Sequence, residues 1–416
     1  MSDSWDVVDL LAEIADVGRD PVRGGYSRHV FEPAELELRA WFTRRSAALG
    51  LTVQPDGNGN IWAYWGEPGP GTVGTGSHLD SVPGGGPLDG PLGVASALSA
   101  VARLKERGFT PARPVAVVAF AEEEGSRFGI ACLGSKLLAG EVDPAAIAVR
   151  ADAAGVTFAQ AAAAAGFDPA GTGRDAERLA SLGAFVELHV EQGRALADIG
   201  APVAVASAIL AHGRWRLTFT GEGNHAGATP MAGRRDPVVA ASAAVLAAAG
   251  IAAARDDPKG GVSARATVGR IVPVPGGTNV IASRVDAWLD VRGDTDAATR
   301  ALVTEICASI QLAAAKHGCH VDITRESYLP EVTFDAGLRG RLRAALAGVQ
   351  GLGEVPVLAT GAGHDVGVLA AELPTAMLFV RNPTGVSHAP GETASDADCR
   401  AGVDALAAVL ADLAAT

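Results

Sequence analysis

The side chains in this chain that can do chemistry are mostly imidazoles and carboxylates, gathered beside the ends of apolar runs. Gly76-Ser77-His78-Leu79-Asp80-Ser81-Val82 closes one run with an H-x-D pair, and a Gly-rich turn then leads to Leu88-Asp89-Gly90. His78 is a metal-competent imidazole at a strand end, and Asp80 is placed to fix its tautomer. By itself the pair more often marks a structural histidine. Glu122-Glu123-Glu124-Gly125 directly follows the apolar run Pro114 to Ala121. Three adjacent carboxylates repel one another and on charge alone read as a solvated loop. At a strand end they make sense beside a dication, where one ligates and another stays free to accept a proton from water. In Glu187-Leu188-His189-Val190-Glu191-Gln192-Gly193, strand alternation puts Glu187, His189 and Glu191 on one face. His388 adds an imidazole in Gly385-Val386-Ser387-His388-Ala389-Pro390. Together His78, Asp89, Glu124, His189 and His388 are candidate metal ligands, a set that accepts zinc, manganese, cobalt or nickel.

Their places beside the ends of apolar runs are where active sites of open α/β sheets form, at the carboxyl ends of the strands. Gly71 to Ser77 and Pro114 to Ala121 predict strands flanking a helix over Leu92 to Arg107, and Glu35 to Leu49 predicts a helix stopped at Gly50. The Ala-rich stretch 161–166 also predicts helix. From about Gly213 to Arg292 the pattern turns β-rich (Arg214 to Gly221, Ala264 to Val272, Arg284 to Arg292) around one Ala-rich helix, Pro237 to Ala254. After Pro330 come a helix (Ala336 to Ala347), a strand (Val355 to Ala359), a Gly-rich turn and a strand (Thr375 to Val380). The simplest organisation is an α/β catalytic domain over 1–212 and 330–416, interrupted by a smaller α+β domain over 213–329.

At 416 residues the chain exceeds one ordinary hydrophobic core, which supports two domains. Its 48% apolar and 19% charged residues are those of a soluble globular protein. A net charge of −13 argues against nucleic acid, whose phosphates need clustered Lys and Arg. The N-terminal MSDSWDVVDLLAEIADVGRD lacks the basic and apolar regions of a signal peptide. The Val238 to Ala254 run reads as a buried helix rather than a bilayer span. Four widely spaced cysteines without C-x-x-C point to reduced thiols and away from a cysteine metal site. A cytoplasmic protein without membrane partners is expected.

Eight motifs, GSHLDSV, LDGPLGV, EEEGSRFG, ELHVEQG, NHAGATPM, TNVIAS, TGAGHD and GVSHAP, occur in this order. They resemble the amidase and carbamoylase branch of the co-catalytic zinc aminoacylase and carboxypeptidase G superfamily, which holds N-carbamoyl-L-amino-acid hydrolase and allantoate amidohydrolase. The resemblance implies a di-zinc exopeptidase-like α/β domain with a mixed, mostly parallel sheet and an inserted α+β dimerisation domain. It implies two divalent ions per subunit, zinc by expectation, bridged by Asp89. Glu124 and His388 would complete one site, and His78 and His189 the other. Glu123 becomes the general base. Arg292 matches an arginine that grips the substrate carboxylate, Asn279 and Gln192 match polar substrate contacts, and Gly363 lies in a segment lining the pocket. His225 matches a histidine that serves the neighbouring subunit's site and stabilises an oxyanion, which implies a homodimer. The implied reaction is hydrolysis of a C–N bond in a small carbamoyl or ureido compound bearing a carboxylate. Peptidase members carry a carboxylate where His189 stands. Ser81 and Ala228 stand where members often have Thr, and Ala282-Ser283 replaces a Pro-Gly.

Three other readings compete. An aminoacylase or dipeptidase of the same superfamily would release an amino acid rather than ammonia. A dinucleotide-binding oxidoreductase is suggested by Gly361-Ala362-Gly363 and Gly367, but the spacing is one residue too long for the fingerprint and Glu372 comes too early. A non-catalytic binding protein on the same fold is opposed by the presence of Glu123 and all five candidate ligands.

Overall fold

In the computed structural model, which describes residues 4–257 and 263–415, the continuous apolar runs become strands buried on both faces. Thr72–His78 and Val115–Phe120 are buried at every position. Strands of this kind belong inside a sheet covered by helices on each side. The sheet runs in the order Thr52–Pro55, Ile61–Trp65, Val115–Phe120, Thr72–His78, Leu182–Val190, Thr375–Val380, Val203–Ile209 and Val332–Thr333, with Val357–Thr360 also paired to Val203–Ile209. Thr72–His78 pairs in parallel with both Val115–Phe120 and Leu182–Val190, and Leu182–Val190 pairs in parallel with Thr375–Val380. The hairpin Thr52–Pro55/Ile61–Trp65 and the strand Val203–Ile209 add antiparallel pairs, so the sheet is mixed, with parallel strands at its centre. Parallel register brings His78 opposite Phe120 and Val380 opposite Val190, so the strand ends carrying the candidate ligands lie side by side. Gly76 permits this close pairing: its φ is +148° and a Cβ there would lie 2.0 Å from the Val118 carbonyl oxygen.

The compact units are Met1–Ser207 with Thr333–Thr416, and Ala208–Val332. In the first, the helices Val7–Glu13, Pro33–Ala48, Pro91–Glu106, Ala336–Leu346 and Asp396–Ala414 share one apolar core with the sheet. The second is a four-stranded antiparallel sheet ordered His320–Leu329, Ala211–Thr220, Arg284–Gly293, Ala264–Val274. Val285, Ala287, Leu289 and Val291 point inward at period two, against the helices Pro237–Arg255 and Asp296–Lys316.

Pro237–Arg255 corrects one expectation. It is long and apolar enough to cross a membrane by length and composition. Rather than being buried all round, it packs one stripe of small residues, Ala240, Ala241, Ala244, Ala248 and Ala252, against the sheet. Val239 is 46% exposed and Leu246 75% exposed on its other side. The edge hairpin, the 21-residue helix Asp296–Lys316, the strand His320–Leu329 and the C-terminal helix Asp396–Ala414 lie outside the elements expected from sequence.

Candidate active site

Strand ends and the loops after them bring His78, Asp89, Glu123, Glu124, His189 and His388 together. His78 and His189 end neighbouring strands and are fully buried, with their rings stacked 5.8 Å apart. His78 Nδ1 lies 3.0 Å from the Asp80 carbonyl oxygen and His189 Nδ1 lies 2.9 Å from that of Val190. A carbonyl can only accept, so each Nδ1 donates and each ring turns its Nε2 inward. Both Nε2 atoms face Asp89 Oδ1, at 3.7 Å from His78 and 3.2 Å from His189. The other Asp89 oxygen, Oδ2, lies 3.3 Å from His388 Nε2, which is 3.4 Å from Glu124 Oε2. Asp89 is thus common to two groups of ligand atoms, His78/Asp89/His189 and Asp89/Glu124/His388, each drawn within 4.8 Å. Gly90 makes room for this: its φ is +88°, and a Cβ would lie 2.5 Å from the His78 ring. His388 adopts a left-handed φ of 57°, a conformation a non-glycine residue holds only where its surroundings enforce it.

The three successive glutamates divide three ways. Glu122 is structural: its Oε1 accepts from the amides of Arg127 and Phe128 at 2.9 and 2.5 Å. Glu124 faces His388. Glu123 is buried, its Oε2 is 3.8 Å from His78 Nε2, and its Oε1 accepts from the Cys132 thiol at 3.4 Å. Asp80 has a different task from the one its spacing suggests. Its carboxylate receives the amides of Glu123 and Glu124 at 3.2 and 3.1 Å, while its backbone carbonyl holds His78. Glu191 leaves the site, because the strand ends at Val190 and the next turn aims its carboxylate at the amides of Ala195 and Leu196, capping the helix Ala195–Ile199. Glu187 stays buried, accepting from Ser77 Oγ and the Val366 amide beside His189 and His364.

The electrostatics call for cations. Burial pushes Glu123 well above the carboxylate range, and it raises Glu124 to about 7 with Asp89 adding to the effect. Burial also works against ionisation of Asp89, but the His189 and His388 imidazoles outweigh it and hold that carboxyl low. His78 Nε2, His189 Nε2 and Glu124 Oε1 are buried without hydrogen-bond partners. Buried ligand atoms left unpaired are costly, and divalent cations, one at each of the two groups, would satisfy them. The nitrogen and oxygen donors suit zinc or a neighbouring first-row metal.

The sequence pattern of Peptidase family M20/M25/M40 matches residues 74–412. The chain belongs to the M20/M25/M40 family. It is 36% identical over 400 residues to the N-carbamoyl-L-amino acid amidohydrolase of Geobacillus stearothermophilus, covering 95% of each chain. It is 34% identical to the allantoate amidohydrolase of Escherichia coli (strain K12), over 98% of this chain and 97% of that one. Among solved structures, an amidase of the hydantoinase/carbamoylase family from Burkholderia multivorans matches with a TM-score of 0.86 and 31% identity, over 99% of this chain and 97% of that one. With these relatives, this M20 chain is a hydrolase of the amidase and carbamoylase branch.

Of the candidate substrate contacts, Gln192 lies at the cluster, its Nε2 donating to Asp89 Oδ2 at 3.1 Å and lying 3.3 Å from His388 Nε2. Gly363 belongs to the same compact unit, next to buried His364. His225, Asn279 and Arg292 belong to the inserted unit. There Asn224–His225 pairs with Val280–Ile281, and the Ala226 amide donates to the Asn279 carbonyl at 2.9 Å. His225 Nδ1 accepts from the amides of Gly227 and Ala228, both at 3.1 Å, so the proton of the neutral exposed ring sits on Nε2 as an outward donor. Arg292 is held by Asp290, with Nε donating to Oδ1 at 2.8 Å. Four residues at the cluster are not marked by residue type and spacing: Ser387, whose Oγ donates to Asp89 Oδ2 at 3.3 Å, Cys132, His364 and Glu392. For His364 the signal was present as Gly-His-Asp in the TGAGHD motif.

Proposed function

We propose that this hydrolase cleaves a C–N bond in the carbamoyl or ureido group of a small carboxylate-bearing compound, an N-carbamoyl-L-amino acid or allantoate, with two divalent ions at the Asp89 cluster. The observation that carries the proposal is the division of ligands between the two oxygens of Asp89, with Glu123 left uncommitted beside them. His78 and His189 would hold one ion and Glu124 and His388 the other, with zinc preferred and manganese, cobalt or nickel also accommodated. Ions bound there supply Lewis-acid polarisation of a carbonyl and lower the pKa of water.

The chain's own groups do the rest. Glu123 takes a proton from the attacking water and returns it to the leaving nitrogen, as befits a carboxylate that no amide or guanidinium among the described residues neutralises. Oε2 is the oxygen for this task, because Oε1 is occupied by the Cys132 thiol. Arg292 offers a planar fork to the substrate carboxylate, and Asn279 and Gln192 supply polar contacts that orient it. His225 presents Nε2–H to the developing oxyanion. We assign that donation to the site of a partner subunit, in a homodimer formed through the inserted unit. Exposed Leu246 and Leu312, 75% and 72% accessible on its two helices, support such an apolar contact. The acidic charge and reduced cysteines fit a cytoplasmic enzyme.

The test is ammonia release by purified protein given zinc or manganese and offered allantoate, a panel of N-carbamoyl-L-amino acids and the matching N-acyl amino acids. Ammonia from a carbamoyl or ureido substrate is expected. Turnover of N-acyl compounds alone would move the enzyme to the aminoacylases.

A further inference from the structure

Glu392 lies four residues beyond His388 in the same loop and is 3% exposed. Its Oε1 accepts the amides of Leu88 and Asp89, each at 2.9 Å, across some three hundred residues of sequence. Its Oε2 is buried and has no hydrogen-bond partner. The fit is tight: a Cβ at Gly86 would lie 2.3 Å from Glu392 Oε1 and 2.6 Å from Glu392 Cβ, so the carboxylate lies against backbone that only glycine leaves bare. Burying a carboxylate with half of its acceptor capacity unused is unfavourable for folding alone. What the arrangement does fix is the turn that presents Asp89. Both ligand groups share that residue, so its backbone orientation decides where both of its oxygens point.

We infer that Glu392 is a positioning residue that ties the Asp89 turn to the His388 loop and so sets the bridging carboxylate for both metal ions. The inference rests on the two-metal reading above. Glu392 acts through the Asp89 amide. It therefore needs an acceptor oxygen and no charge, and a glutamine carbonyl in its place meets the same two amides.

The test is zinc affinity, measured on the purified full-length chain by competition with a chromogenic chelator and no substrate present. Glu392→Gln should bind zinc within about threefold of wild type, since both acceptor contacts survive. Glu392→Ala should weaken both sites together by about 10- to 100-fold, the usual effect of losing a group that orients a ligand. Gly86→Ala, which pushes the carboxylate from the other side, should follow Glu392→Ala. Wild-type affinity in the Glu392→Ala chain overturns the inference. Equal losses in the Gln and Ala variants also overturn it, because they would make charge the operative property. Should Glu392→Ala not fold, Glu392→Gln decides alone, and zinc binding weakened more than about tenfold contradicts positioning. If the wild-type chain binds no zinc, the two-metal reading falls and takes this inference with it. Tight wild-type binding that Ala leaves unchanged sinks the inference only.

Discussion

Glu123 and Glu124 are adjacent in sequence, and the different roles proposed for them follow from what each carboxylate faces. Glu124 Oε2 is 3.4 Å from His388, in the second ligand group, whereas Glu123 reaches only the Cys132 thiol and the edge of His78. Glu123→Gln should therefore keep the metal content of wild type while turnover falls by about 10³-fold or more, since only the proton acceptor is lost. Elemental analysis that finds the ions gone would make Glu123 a ligand. Arg292→Lys should raise KM with little change in kcat, because an ammonium cannot make a two-point grip on a carboxylate. An unchanged KM would place the carboxylate elsewhere. At this scale the sequence was informative wherever residue type and strand end coincide, as at His78, His189 and the Glu122–Glu124 run. It misled where a side chain's partner is set by the turn that follows, as with Glu191, which caps a helix, and Asp80, which holds two amides. Glu392 could not be found from spacing, because its partners are the amides of residues 88 and 89.

The glutamate run is held by a helix as well as by its strand. The amides of Cys132, Leu133 and Gly134, at the start of the helix Leu133–Ala139, donate in turn to the carbonyls of Glu123, Glu122 and Ala121 at 2.6, 3.1 and 2.9 Å. Gly134 makes the contact possible, since a Cβ there would lie 2.1 Å from Asn60 Oδ1 and 2.8 Å from the Ala121 carbonyl oxygen. Gly134→Ala should lower stability by about 3 kcal/mol and reduce kcat, because backbone that carries the proposed general base must shift. A melting temperature and kcat equal to wild type would show that the clamp is dispensable. Continuous apolar runs and period-two alternation made the central strands legible, and Thr375–Val380 matches its expected span residue for residue. The edge hairpin was not legible: Thr52–Pro55 is short and exposed at both ends, so it carries no burial pattern. The C-terminal helix had a readable start in Ser395, whose side chain caps the Asp398 amide, but its Ala-rich body gives a weak periodic signal.

For the whole chain, the change from parallel α/β rhythm to long antiparallel strands reveals an inserted segment, while its edges are hidden. The compact units divide at 207/208 and 332/333, within the strands Val203–Ile209 and Val332–Thr333, whereas the sequence pattern places the insertion at 213–329. Hydrophobic patterning does not change partway along a strand, so it cannot mark a boundary there. If His225 serves a partner's site, Glu123→Gln and His225→Ala homodimers should each be nearly inactive. After random subunit exchange about half of the dimers are mixed, each with one complete site, and activity should return to about a quarter of wild type. Inactivity despite demonstrated exchange would confine His225 to its own subunit. The most direct test of the two-metal assignment is a metal titration of the apo chain, read by ammonia release from the best carbamoyl substrate, beside the same titration of Asp89→Ala. Activity should rise to a break at two ions per wild-type chain, and Asp89→Ala should neither retain ions nor turn over, because the proposed bridging carboxylate belongs to both sites. A break at one ion, or an Asp89→Ala chain that keeps both ions, would contradict the assignment.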